Sequence, residues 1–407
     1  MGEKNEHVLY FCSMANKKNA ATVLAQDELF GAEVPSHTAP LFLSSTFVYP
    51  SVEEAQQTFL GKKKNFIYAR WSHPNAEIAE KKLDALQETP NTKTLLFSSG
   101  MAAISAVFQS LVKPNDSLIV QGNVYGTTID YVNTLAEQLN LNVVYTDFSN
   151  LKELEEWCEK MSKNLKLVYM ETPSNPTIDC YDIPAIAKIA HKYKSKLAVD
   201  NTFASPVLQQ PLALGADYEI NSSTKFLNGH GTGISGAVTA NEKFAKQLWN
   251  IRKLHGTIIS PLDAWLLNLG MKTLLLRIKA HSENAKAVAK FLEKHPAVSK
   301  VNYLGLKSHP AHSLAKKQMK DFGGVLSFEL KDGYKAGLKL MKKVKLCRLT
   351  ASLGTTDTLI QHPASMSHSF VPKAQREKFG ITDGLVRLSI GLEDVRDIIA
   401  DLENGMK

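Results

Sequence analysis

Short apolar runs alternate with longer amphipathic segments through the middle of the chain, beginning near Thr94. The runs read TLLF, SLIVQ, NVVYTD, KLVYMET, KLAVDNTF and DYEIN. Such alternation is typical of βα units, in which parallel strands form one sheet and helices cover its faces. The pattern therefore predicts an α/β fold built on a parallel sheet.

The segments on either side of this region have different patterns. Residues 1 to about 60 are rich in small polar residues and contain Pro35, Pro40 and Pro50, so we expect an irregular arm. After Pro261, the stretch DAWLLNLGMKTLLLRIKAHSENAKAVAKFLEK predicts one long amphipathic helix. A smaller α+β region follows, with strand candidates GGVLSFEL and LVRLSIG. These patterns divide the chain into an arm (1–60), a large domain (61–262) and a C-terminal domain (263–407).

Composition and charge narrow the class of protein. The 407 residues are 44% hydrophobic and 22% charged, which is ordinary for a folded globular chain. The net charge of +8 comes from lysines scattered among acids rather than from a basic stripe with interleaved aromatics. No nucleic-acid partner is therefore expected, whereas small anionic molecules are compatible with the charge.

The cysteines and the N-terminus bear on the compartment. The sequence has four cysteines and no C-x-x-C pair, so neither a zinc site nor a disulfide framework is indicated; they are Cys12, Cys158, Cys180 and Cys347. The apolar run VLYFC follows charged residues and is too short for a signal sequence or a membrane span. We therefore expect a cytoplasmic protein with no metal site and no membrane partner.

Polar residues follow the predicted strands one after another. Because ligands bind beyond the carboxyl ends of parallel strands, these residues are the first candidates for a site. They are Ser98-Ser99-Gly100, Asn123-Val124-Tyr125-Gly126, Glu171-Thr172-Pro173-Ser174-Asn175, Asp200-Asn201-Thr202 and Ser222-Ser223-Thr224-Lys225.

The glycine run that begins at Gly231 has the G-x-G-x-x-G spacing of a dinucleotide-binding turn. That turn should directly follow a strand, open a helix and be answered by an acid about 20 residues later. Here the strand DYEIN ends several residues earlier, ISGAVTAN predicts another strand, and no acid ends the next βα unit. The context therefore disfavours a dinucleotide site.

Lys225 lies between hydroxyl residues and the glycine run, which suits an amine that forms a Schiff base with pyridoxal 5'-phosphate (PLP). This cofactor also needs a carboxylate for its ring nitrogen, a stacking aromatic ring and donors for its phosphate, and the substrate carboxylate needs an arginine. Asp200 closes the buried run KLAVD, where an unpaired carboxylate is costly, so a pyridinium partner is expected. A helix N-cap is the alternative for Asp200.

The other needs also have candidates at strand ends. Gly100 and Met101 lie where a strand turns into a helix, so their backbone N–H groups would face a phosphate at the positive helix end. Tyr125 can stack on the ring and place its hydroxyl near a leaving group, although a core tyrosine is the alternative. Ser222 and Thr224 can offer hydroxyl donors to the phosphate.

The ordered motifs resemble those of the Cys/Met metabolism PLP-dependent enzymes, which include cystathionine γ-synthases and lyases, methionine γ-lyases and O-acylhomoserine sulfhydrylases. The resemblance covers nearly the whole chain. It rests on YARWSHPN, FSSGMAAI, VYGTT, ETPSNPT, AVDNTFASP, SSTKFLNGHG, SLGTTDTLIQHPASMSHS and GLVRLSIGLED. It implies a fold-type I, aspartate aminotransferase-like architecture with a mostly parallel sheet, a smaller C-terminal domain and an arm that contacts a neighbouring subunit, usually in a homotetramer.

The resemblance also implies roles for particular residues. Tyr68 and Arg70 match a Tyr-x-Arg pair that reaches the cofactor phosphate of a neighbouring subunit. Asn175 is expected beside the cofactor's phenolic oxygen and the substrate carboxylate, and Thr202 beside the ring. Ser352 and Arg387 are expected to hold the carboxylate, because a guanidinium fork matches two carboxylate oxygens.

Three departures from the family pattern leave the substrate open. The family's Asn-Pro-Thr is His73-Pro74-Asn75, its Gly-His-x-Asp is Gly229-His230-Gly231-Thr232, and Thr127 stands where methionine γ-lyases typically carry cysteine. We expect Lys225 to move the substrate protons and Tyr125 to protonate the leaving group, giving γ-elimination from methionine or cystathionine. γ-Replacement by a cystathionine γ-synthase or an O-acetylhomoserine sulfhydrylase is the alternative.

Two rival functions are weaker. A non-catalytic scaffold would not need Lys225. An aminotransferase would share the lysine and the aspartate, but not the Tyr-x-Arg pair or the SLG and HPASM segments.

Overall fold

The computed structural model describes residues 18–27, 36–369 and 373–407, apart from the side chain of Gln375. Its larger part contains seven strands: β1 Thr92–Phe97, β2 Ser117–Gln121, β3 Asn142–Thr146, β4 Leu165–Glu171, β5 Lys196–Asp200, β6 Tyr218–Asn221 and β7 Gly236–Asn241. They form one sheet in the order β1-β7-β6-β5-β4-β2-β3. Strand β7 runs antiparallel to both of its neighbours, β1 and β6, and the other pairs of this sheet are parallel. The prediction of an α/β fold with a mostly parallel sheet is confirmed.

Helices cover both faces of this sheet. The helices up to the end of the sheet are α1 Ala20–Ala25, α2 Val52–Phe59, α3 Pro74–Leu86, α4 Gly100–Leu111, α5 Gly126–Leu139, α6 Leu151–Met161, α7 Ile183–Lys192, α8 Ser205–Leu208 and α9 Glu242–His255. Successive side chains of a strand point to opposite faces. In β4, Tyr169 packs against α4 and α5, while Met170 packs against α6 and α7. Every residue of β5 after Lys196 is buried, as expected for a central parallel strand.

The C-terminal part is built on a second, five-stranded sheet. Its strands are β8 Val298–Asn302, β9 Val325–Leu330, β10 Arg348–Leu349, β11 Leu359–Gln361 and β12 Leu385–Ser389, in the order β10-β11-β12-β9-β8. Its helices are α10 Pro261–Met271, α11 Leu274–Lys294, α12 His312–Gln318, α13 Gly333–Lys343, α14 Lys373–Lys378 and α15 Val395–Met406, with a 3₁₀ turn at Pro363–Ser365. Both strand candidates, now β9 and β12, are confirmed.

The prediction of one long helix after Pro261 is wrong. Helix α10 ends at Met271 and α11 begins at Leu274. The carbonyl of Gly270, which would accept from Leu274 in a continuous helix, instead accepts from Arg277 Nη2 at 2.7 Å. Lys272 is drawn away to Asp27, with 2.9 Å between Nζ and Oδ2. These two side-chain contacts lie at the break between α10 and α11.

The described part of the arm is not wholly irregular, because it contains α1 and α2. Ser51 caps α2 by accepting from the Glu54 N–H at 3.3 Å. Asp27 is anchored to the rest of the chain through Lys82 at 3.0 Å and Lys272. Residues 1–17, which include Cys12 and the run VLYFC, and residues 28–35 lie outside the described residues.

Two further sequence expectations concern the glycine run and the membrane. The residues from Gly231 are followed by strand β7 and not by a helix, so the dinucleotide interpretation is rejected by the structure as well. Across the described ranges, no helix has both the length and the apolar character needed to cross a membrane.

Candidate active site

A cavity of about 310 Å³ lies beyond the carboxyl ends of β4, β5 and β6 and reaches the C-terminal part. Ten of the thirteen predicted site residues line it: Gly100, Met101, Tyr125, Asn175, Asp200, Thr202, Ser222, Thr224, Lys225 and Arg387. Ser352 borders an adjoining cavity that shares Thr224 with the first. Tyr68 and Arg70 are not brought to the cavity of their own chain.

Lys225 lies in the loop after β6, with its amine directed at the C-terminal part. Its Nζ donates to Ser352 Oγ at 3.1 Å. Burial lowers the pKa of Lys225 to about 8, and the positive charge of Arg387 adds to the effect. A lysine in these surroundings has a much larger neutral fraction near pH 7 than an exposed one. It is therefore suited to act as a nucleophile or a base.

Asp200 is the last residue of β5 and its carboxylate is buried. Oδ1 accepts from the backbone N–H and the hydroxyl of Thr202 at 3.0 and 2.5 Å. These bonds do not offset desolvation, which raises the pKa of Asp200 to about 6. A buried carboxylate without a cation is costly. A protonated ring nitrogen placed here would supply the missing charge.

The N-terminus of α4 can bind an anion. Ser99 caps the helix by accepting from the Ala102 N–H at 3.0 Å, which leaves the N–H groups of Gly100 and Met101 directed outward. A Cβ at position 100 would lie 3.0 Å from Ser222 Oγ, so glycine allows the hydroxyl of Ser222 to approach the helix end. The combination suits a phosphate group.

Thr224 has a more local set of contacts. Its hydroxyl donates to the carbonyl of Ser235 at 3.0 Å and accepts from the Ser235 N–H at 2.9 Å. These two bonds hold the loop that carries Lys225 to the end of the glycine-rich segment. Thr224 nevertheless lines the cavity.

Arg387, on β12, is buried and faces the cavity across the boundary between the two parts of the chain. Nη1 donates to Asn175 Oδ1 at 3.0 Å, and Nη2 donates to the Ser352 carbonyl at 2.7 Å. Within the described part of the chain, its Nε has no hydrogen-bond partner, and neither has Oε1 of buried Gln361 on the adjacent strand. Orphaned donors of a guanidinium that is already fixed in place suit an incoming carboxylate.

Tyr125 lies at the start of α5, and 45% of its surface is exposed despite its apolar ring. Its backbone is fixed, because its N–H donates to Glu171 Oε1 at 2.7 Å. An exposed ring on a fixed backbone at the cavity wall is arranged to cover a planar group.

Glu171, Gln361 and Ser367 also line the cavity, and the sequence assigns none of them a role. The strand-end pattern includes Glu171 among the candidates, and in the structure it ends strand β4 as Asp200 ends β5. Gln361 and Ser367 lie within the SLG to HPASM segment, but no local pattern marks them as cavity residues. Gln361 Nε2 donates to Ser367 Oγ at 2.5 Å.

Tyr68 and Arg70 lie on the outer surface, next to each other. The guanidinium carbon of Arg70 is 5.3 Å from the centre of the Tyr68 ring, and Nη1 donates to the Lys253 carbonyl at 2.5 Å. Large apolar side chains nearby in the sequence are exposed, including Val48 at 94% and Val52 at 80%. Such a surface is typical of a protein interface.

Comparison with known proteins decides the family. The model of the Cys/Met metabolism PLP-dependent enzymes matches residues 21–407. The chain belongs to this family. Its cofactor is therefore PLP, and the predicted resemblance is confirmed.

Several relatives show the range of reactions within the family. This chain is 44% identical to an L-methionine gamma-lyase from Fusobacterium nucleatum subsp. polymorphum, over 90% of this chain and 93% of the relative. It is 39% identical to a cystathionine beta-lyase from Lactococcus lactis subsp. cremoris, over 91% of this chain and 94% of the relative. The structure of a cystathionine gamma synthase from Xanthomonas oryzae pv. oryzae matches this one with a TM-score of 0.88 and 35% sequence identity. The match covers 95% of this chain and 97% of that one.

Proposed function

We propose that this protein is a PLP-dependent lyase that cleaves the γ carbon–sulfur bond of methionine or cystathionine and releases α-ketobutyrate, ammonia and a thiol. The observation that carries the proposal is the meeting of Lys225 and Arg387 in one cavity with the buried carboxylate of Asp200, whose pKa burial raises to about 6. The 44% identity to an L-methionine gamma-lyase supports the choice of reaction.

The residues of the cavity fit the cofactor. Lys225 would carry it, Asp200 would face its ring nitrogen, and the N-terminus of α4 with Ser222 would hold its phosphate. Tyr125 would cover the ring. When bound, PLP serves as a sink for electrons released at the α-carbon of an amino acid.

The protein groups bind and orient the substrate. Arg387 presents its free Nε–H and the remaining hydrogens of its fork to the carboxylate, and Asn175 holds the fork in place. This places the α-carbon near Lys225, whose neutral amine can accept a proton. Ser352 Oγ, at 3.1 Å from Nζ, keeps the amine directed into the cavity.

Tyr125 supports the cleavage of the carbon–sulfur bond. A thiolate is a poor leaving group from carbon, and the phenolic proton of Tyr125 would pass to the sulfur as the bond breaks. The resulting phenolate would then take a proton from solvent before the next turnover. The exposed position of the ring at the cavity wall gives it access to the side chain of a substrate.

γ-Replacement is the second candidate, and two observations favour it. The cystathionine gamma synthase structure has a TM-score of 0.88. Thr127, rather than cysteine, follows Tyr125 and Gly126 in this chain. In a replacement, an added thiol rather than water would end the reaction.

The test measures α-ketobutyrate from methionine, cystathionine and O-acetylhomoserine, each with and without cysteine or sulfide. We expect keto acid from methionine or cystathionine alone, and none from a Lys225→Ala variant. Thioether formation that depends on the added thiol would instead identify the replacement reaction. No keto acid from any of the three would contradict the lyase.

The assembly is proposed as a homotetramer of two active dimers, in which Tyr68 and Arg70 serve the neighbouring subunit. Their position outside their own cavity and the exposed apolar side chains beside them support this. Differently tagged Arg70→Ala and Lys225→Ala chains, each inactive alone, should regain about a quarter of the activity when co-expressed, if they pair at random. No recovery in isolated mixed dimers would contradict it. The proposed compartment is the cytoplasm, and the burial of Cys158, Cys180 and Cys347 as free thiols supports it.

A further inference from the structure

Glu171 occupies a place in the cavity that the proposed function has not used. It ends β4 directly beside Asp200 in the β4–β5 register, and its side chain is 6% exposed. Two buried carboxylates therefore lie side by side at the carboxyl ends of two neighbouring central strands. Burial and the charge of Asp200 both raise the pKa of Glu171.

The carboxylate of Glu171 joins two loops. Oε1 accepts from the backbone N–H of Tyr125 at 2.7 Å. The backbone of Asn175, four residues further along the chain, also acts on this carboxylate and lowers its pKa. Glu171 therefore bonds the backbone of Tyr125, which would cover the ring, and lies at the base of the loop whose Asn175 holds Arg387.

A second side chain strengthens the connection. The backbone N–H of Glu171 donates to Gln121 Oε1 at 2.9 Å, and Gln121 Nε2 donates to the carbonyl of Asn123 at 2.7 Å. The segment from β2 to Tyr125 is thus attached to the end of β4 at two points. No side chain caps α5 at Tyr125, so Glu171 provides the fixed reference for that residue.

We propose that Glu171 is a positioning residue that sets the spacing between Tyr125 and Asn175. It thereby sets the distance from the leaving-group acid to the carboxylate clamp at Arg387. The inference rests on the proposed function for the roles of these two residues. The bonds themselves are independent of it.

The test compares Glu171→Gln and Glu171→Ala with a matched control, Glu219→Gln. Glu219 is also a fully buried carboxylate of the same sheet, bonded to Asn201 and Asn221, but it does not line the cavity. The first readout is amide hydrogen exchange in the peptides that contain Tyr125 and Asn175, with and without cofactor. We expect faster exchange at both sites in E171A and unchanged exchange in E219Q.

The second readout is steady-state kinetics with methionine and O-acetylhomoserine. Each rate is divided by the number of active sites, counted as the cofactor that borohydride reduction attaches to the protein. A misplaced reacting group costs up to about a hundredfold, so kcat with methionine should fall about ten- to a hundredfold in E171A and less in E171Q, because the amide oxygen of glutamine can still accept from the Tyr125 N–H. O-Acetylhomoserine releases acetate, which needs little help from an acid, and its kcat should fall less. E219Q should leave the ratio of the two rates unchanged.

Several outcomes would overturn the proposal. Equal losses for both substrates in E171A, or unaltered amide exchange at Tyr125 in E171A, would reduce Glu171 to a structural residue. If the wild-type protein formed keto acid from neither substrate, the proposed function would fail instead. Hydrogen exchange would then still decide whether Glu171 holds the two loops.

Discussion

The depressed pKa of Lys225 has a direct consequence for how the protein takes up its cofactor. Only the neutral amine attacks the aldehyde of PLP, so the rate of capture by apoprotein follows the neutral fraction. With a pKa of about 8, about one amine in ten is neutral at pH 7, against about one in 3,000 for an unperturbed lysine. The surroundings of Lys225 should therefore raise the rate of cofactor capture at pH 7 by about 300-fold.

The perturbation separates the two causes of the low pKa. Arg387→Gln removes the cation and should shift the pH profile of the capture rate to higher pH. Arg387→Lys keeps the charge and should leave that profile unchanged. Arg396→Gln is the matched control, because it removes an arginine that is exposed on α15. Lys225→Ala should give no covalent product.

The assay mixes apoprotein with PLP across a pH series and measures the borohydride-stable product with time. For the wild type, the second-order rate constant should rise about tenfold per pH unit below about 8 and level off above it. A rate that kept rising towards the range of an ordinary lysine would refute the effect of burial. An identical midpoint in R387Q and the wild type would refute the effect of Arg387.

Three further predictions concern other contacts. Tyr125→Phe should lower kcat for methionine by about 10²–10⁴-fold and for O-acetylhomoserine by less, in steady-state assays. Gly354→Ala places a Cβ 2.6 Å from a backbone nitrogen at φ +75°, so urea unfolding should show a loss of at least about 1–2 kcal/mol; Gly61→Ala, at φ +69° in open space, should lose less. Arg252→Met leaves the carboxylate of Glu80, 2.6 Å from Nη1, buried and unpaired, so it should cost about 3–5 kcal/mol in the same assay, part of which Glu80→Gln should restore.

The sheet and the polar ends of its strands could be predicted because both depend on local pattern. Apolar runs identify buried parallel strands, and whatever follows them must lie at one edge. This reasoning placed Asp200, Lys225 and Tyr125 at the same edge without reference to any relative. The structure brings all three to one cavity.

Contacts between distant parts of the chain could not be predicted in the same way. The break between α10 and α11 coincides with contacts that Arg277 and Lys272 make through their side chains, and the helical periodicity of the segment does not show what these side chains bind. Gln361 faces the cavity because β11 pairs with β12 beside Arg387, and no sequence spacing shows that pairing. The role proposed for Arg70 involves a neighbouring subunit, so only the family resemblance suggested it.

The boundary between the two sheets separates two kinds of chemistry. The groups proposed to face the cofactor come from the part of the chain with the seven-stranded sheet, while Arg387 and Ser352, proposed to face the amino acid, come from the part with the five-stranded sheet. Selectivity can therefore diverge through exchange of C-terminal segments among relatives while the shared chemistry stays intact. The bond between Arg387 and Asn175 sets the condition for a working chimera, since it is the joint that each exchanged segment must rebuild.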